Sequence, residues 1–233
     1  PYAFCFNNPL RVTAPTGKDG EEVVDTKNKT ITINVNLIFY TRSNSISGKD
    51  VEKAAQYYKQ NIMDNWSKDA NGNAWTTEYN GETYTVNFNV NVSMDNIAAS
   101  ERKRNYNGKN NYIEIVRGGE NFRSSVRNHR DGQWDLPTSS NNAGAHEFGH
   151  ILGLMDRYID TYDKEGNPIS ISHAGWSSHI MADSRAKVEQ RNIDALVYRN
   201  KTDLPNKYGR QNYSGCSRQT LFRFILNYDN HER

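Results

Sequence analysis

The sequence has little cysteine and proline and no long apolar run, and each shortage excludes a class of protein. Its 233 residues include 2 Cys and 6 Pro, and Cys5 and Cys216 lie near opposite ends, which is not a disulfide scaffold. No stretch approaches the roughly 18 apolar residues of a membrane-spanning helix, and mean hydropathy is −0.91. The first ten residues, PYAFCFNNPL, lack the basic and apolar regions of a secretory signal.

Neither sign of charge dominates. The 29 basic and 27 acidic residues give a net charge of +2, which argues against nucleic acid and against an anionic membrane as partners. The 14 Tyr, 8 Phe and 4 Trp supply the buriable surface of a packed core. The length fits one domain with a short attached segment. Pro and Gly punctuate the first twenty or so residues, so residues 1–25 are predicted to be a tail or linker.

Apolar periodicity predicts the main elements. Alternation predicts strands over residues 30–40, 84–94 and 112–116, the second of them after the Asn80–Gly81 turn. Three- and four-residue steps predict helices over residues 49–66, capped by Ser47, and over 142–152 and 184–198. An edge strand is expected near residues 124–127, and residues 221–228 fit either a helix or a strand. This order predicts an α+β chain, an α/β sandwich with a sheet on one side of a central helix.

The segment AHEFGHILGLMDR, residues 145–157, carries residues suited to catalysis. His146 and His150 are four residues apart, so on a helix both imidazoles project from one face and can reach one metal ion. Glu147 lies one step round the helix, where it is poorly placed as a ligand but well placed to take a proton from a metal-bound water. Zinc lowers the pKa of such a water to about 7. The spacing therefore predicts a zinc hydrolase with Glu147 as general base.

A catalytic zinc usually has three protein ligands, and the sequence offers a third just beyond the helix. Gly153 can adopt the left-handed conformation that ends a helix and turns the chain back. Asp156, three residues further on, would then approach the metal and complete the ligand set. His173 and His179 compete with Asp156 for this position, and His179 is the stronger of the two alternatives.

This segment resembles the metzincin signature, HExxHxxGxx followed by His or Asp, in the minority branch that ends in Asp. The longer run is also similar to secreted bacterial metalloproteases of the immune-inhibitor type. The resemblance implies a zinc endopeptidase with a zincin-like fold: a twisted mixed sheet, an active-site helix and a smaller C-terminal subdomain. We therefore expect a metallopeptidase domain over residues 26–233, with subdomains at 26–152 and 153–233.

The resemblance also implies a methionine turn beneath the zinc, some tens of residues downstream. Met181, within SSHIMADS, is the candidate, because Met155 is too close to the helix. The alternative is an ordinary core methionine. Tyr158 is a candidate to stabilise the oxyanion, although core packing is the simpler interpretation.

Four arginines precede the catalytic helix: Arg117, Arg123, Arg127 and Arg130. The edge strand expected here can bind an extended peptide by strand addition, so these side chains are candidates to line a substrate groove. A solvated basic loop is the simpler interpretation.

The N-terminal segment PYAFCFNNPLRVTAPTG carries a second pattern. The matching residues are Tyr2, Asn7, Asn8, Pro9, Leu10, Pro15 and Gly17. They resemble the end of the repeat-associated core of Rhs proteins, which runs like YxYxxNNPLxxxDPxG. In those polymorphic toxins the core forms a shell and a variable effector follows it. The family's aspartate before the second proline, which takes part in self-cleavage, is Ala14 here.

Together these patterns predict a zinc endopeptidase that is the secreted or delivered effector of an Rhs-type toxin, and a piece of a larger protein. The expected partners are a protein or peptide substrate, the Rhs-like shell of the same polypeptide and an immunity protein. One alternative is a secreted general metalloprotease. Another is a catalytically silent binding module on the same scaffold, although the intact Glu147 argues against it.

Overall fold

The computed structural model describes residues 10–13, 20–95, 110–119, 122–127, 131–137 and 143–198. The strands are β1 (Leu10–Thr13), β2 (Gly20–Asp25), β3 (Thr30–Tyr40), β4 (Trp75–Tyr79), β5 (Glu82–Met94), β6 (Asn110–Val116), β7 (Ser125–Arg127), β8 (Asp131–Asp135), β9 (Tyr158–Tyr162) and β10 (Pro168–Ser172). The helices are α1 (Gly48–Trp66), α2 (Ala143–Ile151) and α3 (Gln190–Tyr198). The predicted α+β class, with a mixed sheet, is confirmed.

The central strand of the sheet is β3, which is paired along both edges. Parallel β5 follows one edge, with β4 antiparallel beyond it. On the other edge, antiparallel β2 pairs with residues 30–35 and parallel β6 pairs with residues 36–40. β1 extends the sheet from β2, while β8 and then β7 extend it from β6. The edge strand expected near residues 124–127 is therefore confirmed as β7, and β9 and β10 form a separate hairpin.

The long helix α1 begins at the predicted cap. The Ser47 hydroxyl accepts the Asp50 N–H at 3.2 Å, and the Asp50 carboxylate accepts the Ser47 N–H at 3.1 Å, which together form a capping box. The apolar stripe of α1 packs on β3 and β5. Its buried members include Val51, Ala54, Ala55, Tyr58, Ile62 and Trp66.

Helix α2 is held against α1 by specific contacts. The Trp66 indole donates to the Ala145 carbonyl at 2.9 Å, and the Asn61 side-chain oxygen accepts the Ala145 N–H at 2.9 Å. Gly144 has no room for a side chain, because a Cβ there would overlap the Tyr58 ring. The Trp66 ring also packs edge-on against the Phe148 ring, with centroids 5.6 Å apart. These contacts fix the helix that carries the HEFGH sequence.

Several elements differ from expectation. Residues 20–25, assigned to a linker, form β2, because pairing covers the edge of β3 and buries Val24. Residues 10–13 of the same segment form β1, and strands β4, β8, β9 and β10 were not predicted either. Helix α3 begins at Gln190 rather than near residue 184, because the backbone of residues 179–187 folds into turns and a β-bridge between His179 and Lys187.

Every described residue belongs to a compact unit that spans Pro1–Asn200. Residues 1–9, 14–19 and 199–233 lie outside the described part of the chain, and with them both cysteines, most of the Rhs-like pattern and the element expected at 221–228. Among the described helices, none combines the length and the apolar character needed to cross a membrane.

Candidate metal centre

Helix α2 brings three predicted side chains together. The ligand atoms of His146, Glu147 and His150 all lie within 4.8 Å of one another. The imidazole rings of the two histidines meet edge to face, with centroids 5.0 Å apart. His146 and Glu147 are buried and His150 is half-buried, so the cluster faces inward rather than towards bulk water.

The chain reverses direction where the sequence predicted it. Gly153 has a φ of 84°, in the left-handed region. Its N–H bonds to the His150 carbonyl at 2.9 Å, and the Leu154 N–H bonds to the Gly149 carbonyl at 2.8 Å. This pair of hydrogen bonds is the Schellman motif, which ends a helix and satisfies its last carbonyls. The reversal brings the following residues back beneath α2.

Asp156 meets both histidines. Its Oδ1 lies 3.3 Å from His146 Nε2 and 3.1 Å from His150 Nε2. Ligand atoms placed tetrahedrally at 2.0–2.1 Å from a zinc ion are about 3.3 Å apart. The two distances from Asp156 therefore match the spacing of zinc ligands, and the carboxylate remains 42% exposed towards solvent.

Backbone carbonyls orient both imidazoles. His146 Nδ1 is 2.6 Å from the Ile180 carbonyl, and His150 Nδ1 is 2.9 Å from the Leu154 carbonyl. Because a carbonyl only accepts, each Nδ1 must carry the proton and donate it. Each Nε2 then faces the Asp156 oxygen, and a contact this close requires either a proton or a metal ion between the nitrogen and the oxygen. Two imidazole nitrogens and a carboxylate oxygen are donors that zinc accepts, so the residues present fit the metal.

The charges of the cluster are strongly coupled. Burial opposes a positive charge on His150, but the hydrogen bond and the negative charge of Asp156 outweigh burial and raise its pKa to about 9. Burial would raise the pKa of Asp156, yet its hydrogen bonds to the two histidines hold that pKa well below its usual range. Asp156 thus stabilises positive charge at His150.

Glu147 is a buried carboxylate beside the two histidines. Burial raises its pKa to about 7, against the opposing charges of His150 and His146. Its Oε2 is fully buried and has no hydrogen-bond partner among the residues that the structure describes. A carboxylate oxygen left unpaired in the interior is costly, so such groups require a specific explanation.

Met181 lies under α2. It is completely buried, and a Cβ on Gly149 would overlap its sulfur, so the thioether packs where the helix has no side chain. The neighbouring Ile180 carbonyl is the acceptor of His146. The turn that carries Met181 therefore touches the metal cluster directly.

The two competing histidines do not join the cluster. His173 is exposed. His179 is buried, but its Nδ1 accepts the Met181 N–H at 3.0 Å and its Nε2 has no hydrogen-bond partner. Within the described residues, the potential metal-binding group contains His146, Glu147 and His150. Asp156 is not a member of that group either, but unlike these two histidines it contacts both Nε2 atoms. His179 supports the turn instead.

A cleft of about 450 Å³ opens beside the cluster, and His146, Glu147, Tyr158 and Arg123 are among the residues that line it. Tyr158 is half-buried there, and burial, followed by the charge of Asp156, raises its pKa to about 12. Of the four arginines, Arg123 lines the cleft, Arg127 belongs to the edge strand and Arg117 contributes nothing to the lining. Arg130 lies outside the described residues.

Two contacts of the site were missed by the sequence analysis. The Ile180 carbonyl carries no side-chain signal, since any residue offers the same group. The pairing of Arg123 with Tyr158 and Asp160 joins segments about 35 residues apart, and only the presence of a basic cluster near the helix pointed to it.

Comparison with known proteins yields little. No protein-family model and no curated protein matches the sequence. One similar solved structure, described as a chaperone–substrate complex, is 12% identical with a TM-score of 0.36, and the match covers 76% of this chain and 35% of that chain. The chain thus spans about a third of that neighbour's length, and a likeness at this level indicates no shared function.

Proposed function

We propose that this chain is a zinc-dependent endopeptidase of the metzincin type, with His146, His150 and Asp156 as ligands. The observation that carries the proposal is the convergence of both Nε2 atoms on one Asp156 oxygen, at 3.1 and 3.3 Å, beside an unpaired Glu147 oxygen. A catalytically silent module would not need a buried, unpartnered carboxylate at this place.

The protein's own groups have distinct roles. Zinc, when bound, supplies a Lewis acid that activates water and polarises a carbonyl. The Ile180 and Leu154 carbonyls orient the two imidazoles so that Nε2 is the nitrogen that would hold the zinc. Glu147 takes a proton from the attacking water and passes it to the leaving amine. Burial raises its pKa to about 7, close to neutral pH, which suits a group that both accepts and returns a proton.

The cleft suits a polypeptide substrate. Among the described residues, strand β7 pairs only with β8, so its other edge offers backbone hydrogen bonds to an extended chain. Ser124, next to β7, lines the same cleft as Glu147. A peptide added along β7 would therefore pass the general base.

We extend the proposal to a delivered toxin effector, with an Rhs-like shell and an immunity protein as partners. The support is the pattern in residues 1–17, of which only residues 10–13 are described. Growth arrest on expression inside a bacterial cell, absent with Glu147→Gln, would favour the effector. Normal growth beside strong hydrolysis by the purified protein would favour a general secreted protease.

The decisive test compares Glu147→Gln with Asp156→Ala. We expect wild-type protein to bind about one zinc and to cleave unfolded casein. Glu147→Gln should keep the zinc and lose at least about 100-fold in kcat, because proton transfer is removed. Asp156→Ala should lose zinc affinity. Zinc is measured by mass spectrometry of the metal, and hydrolysis by release of labelled peptides.

Two results would contradict the proposal. Hydrolysis by Glu147→Gln at the wild-type rate would remove the general base from the mechanism. Wild-type protein that stays zinc-free after reconstitution would remove the metal, and would favour a binding module on this scaffold.

A further inference from the structure

Four side chains form a connected chain of hydrogen bonds along one wall of the cleft. Arg123 donates to both oxygens of Asp160 at 3.2 and 3.3 Å, and to the Tyr158 hydroxyl at 2.9 Å. Ser170 donates to Asp160 from the opposite strand of the hairpin. Arg123, beside β7, thereby connects to the β9–β10 hairpin that follows Asp156, through an ion pair whose side chains are 62% and 59% exposed.

The direction of these hydrogen bonds determines where the Tyr158 proton points. A guanidinium only donates, so the phenol oxygen accepts from Arg123. The phenol's own proton must therefore point elsewhere. In the described part of the chain no acceptor is in hydrogen-bond contact with it, and the side chain lines the cleft together with His146 and Glu147. The Tyr158 and His146 rings have their centroids 6.3 Å apart.

A fixed donor that faces the reacting centre is what a tetrahedral intermediate requires. Hydrolysis of a peptide bond places negative charge on the former carbonyl oxygen, and donors aimed at that oxygen lower the barrier. A phenol held only by packing would rotate its proton freely. Here the guanidinium occupies one side of the oxygen, and the carboxylate of Asp160 fixes the guanidinium.

We propose that Arg123 is a positioning residue that aims the Tyr158 hydroxyl into the cleft, where it donates to the oxygen of the scissile carbonyl. The inference rests on the proposed peptidase function. In this proposal Arg123 helps to stabilise the transition state through Tyr158. It does not recognise an acidic substrate residue, because its hydrogen bonds go to Asp160 and Tyr158 of the protein itself.

The test is a double-mutant cycle of Arg123→Met and Tyr158→Phe, read by two measurements. The first is kcat and KM on labelled casein. The second is the affinity for a phosphinic tripeptide, whose tetrahedral oxygens imitate the intermediate and which requires no turnover. Tyr158→Phe should lower kcat by about 100-fold or more, and Arg123→Met by roughly 10-fold, with KM and zinc content unchanged.

The coupling between the two substitutions tests whether Arg123 acts through Tyr158. In the Tyr158→Phe background, Arg123→Met should change neither kcat nor phosphinic-peptide affinity by more than about twofold, because its target is gone. Arg123→Lys, which can still donate to the phenol, should restore part of the activity. Arg42→Met is the matched control: Arg42 also contacts a tyrosine hydroxyl and a carboxylate, those of Tyr40 and Glu114, but does not line the cleft.

The inference would be overturned if Arg123→Met lowered kcat equally in both backgrounds, or if it raised KM and left kcat unchanged. Neither result would affect the peptidase proposal. A Tyr158→Phe variant with wild-type kcat would likewise overturn the inference. If Arg123→Met does not fold, Asp160→Asn, which frees the guanidinium without removing it, provides the same cycle. A wild-type protein that binds neither zinc nor the phosphinic peptide would instead remove the proposed function itself.

Discussion

His179 shows how a single buried side chain can support the histidine cluster of α2 without joining it. It is 1% exposed, and its ring packs edge-on against the Trp176 ring with centroids 4.5 Å apart. Its Nδ1 accepts the Met181 N–H, so the imidazole must be neutral to keep this contact. Burial, together with the positive charges of Arg191 and Arg157, lowers its pKa to about 3.

This lowered pKa predicts acid sensitivity. Unfolded, the imidazole titrates near 6.5; folded, it stays neutral down to about pH 3. Between these values the unfolded state binds a proton that the folded state does not. The free energy of unfolding should therefore fall as the pH drops from 6.5 towards 3, by up to about 1.4 kcal/mol per pH unit from this group. Above pH 7 the group should contribute no pH dependence.

The measurement is urea unfolding of zinc-free protein between pH 4 and 8, for wild type and His179→Gln. The variant should show a shallower fall of stability in acid, whatever its stability at pH 7. His173→Gln, at an exposed histidine, should change the slope much less. Identical slopes for wild type and His179→Gln would show that the buried imidazole is protonated in the folded state.

Among the site residues, the sequence predicted those that lie within one short segment. Helix geometry and Gly153 determine the relative positions of His146, Glu147, His150 and Asp156, so their spacing in the sequence was enough to group them. The Ile180 carbonyl and the Arg123 guanidinium reach the site only through tertiary packing, and no local pattern encodes their approach.

The reversal after α2 is the element on which the third ligand depends. Gly153 has a φ of 84°, where a side chain costs about 1–2 kcal/mol. Gly166, in the turn between β9 and β10, has a φ of 83°, and a Cβ added there would meet no other atom within 4 Å. Gly166→Ala should therefore lose about this much free energy of unfolding, and Gly153→Ala, at a buried position, at least as much. Only Gly153→Ala should also weaken zinc binding, by roughly 10-fold, because it disturbs the approach of Leu154 and Asp156.

Competition with a chromophoric chelator measures the zinc affinity, and urea unfolding of the zinc-free proteins measures stability. Equal zinc affinity in the two variants would mean that Asp156 reaches the histidines independently of the Schellman turn. A large loss in Gly166→Ala would point to a general effect of destabilisation.

The elements found from the sequence are those with long, regular patterns. β3, β5 and α1 each contain eleven or more residues and show clear burial periodicity. β8 is only five residues long, and its buried positions are Gly132 and Trp134, which leaves one large apolar residue to signal a strand. In β4 a buried Thr77 stands between Trp75 and Tyr79, so its alternation is partly polar.

At the scale of the whole sheet, β2 contradicts the linker that was predicted over residues 20–25. Its sequence, GEEVVD, does not alternate between apolar and polar residues. The buried face carries Glu22 beside Val24, and the apolar Val23 lies on the other, half-buried face. Pairing rather than pattern makes it a strand: β6 covers only residues 36–40 of the β3 edge, and β2 covers residues 30–35. Without β2 that half of the edge would expose unpaired backbone groups, which natural sheets avoid.

Two shortened chains test whether residues 20–25 belong to the domain. A chain that begins at residue 20 keeps β2, and one that begins at residue 26 loses it. Loss of the buried Val24 side chain alone should lower the free energy of unfolding by about 1.5–3 kcal/mol. At this chain length each kcal/mol lowers Tm by about 2–4 °C. The chain from residue 26 should therefore melt about 5 °C or more below the chain from residue 20, and should aggregate more readily through the open β3 edge. Scanning calorimetry and light scattering measure both effects, and equal melting temperatures would return these residues to the linker that their composition suggested.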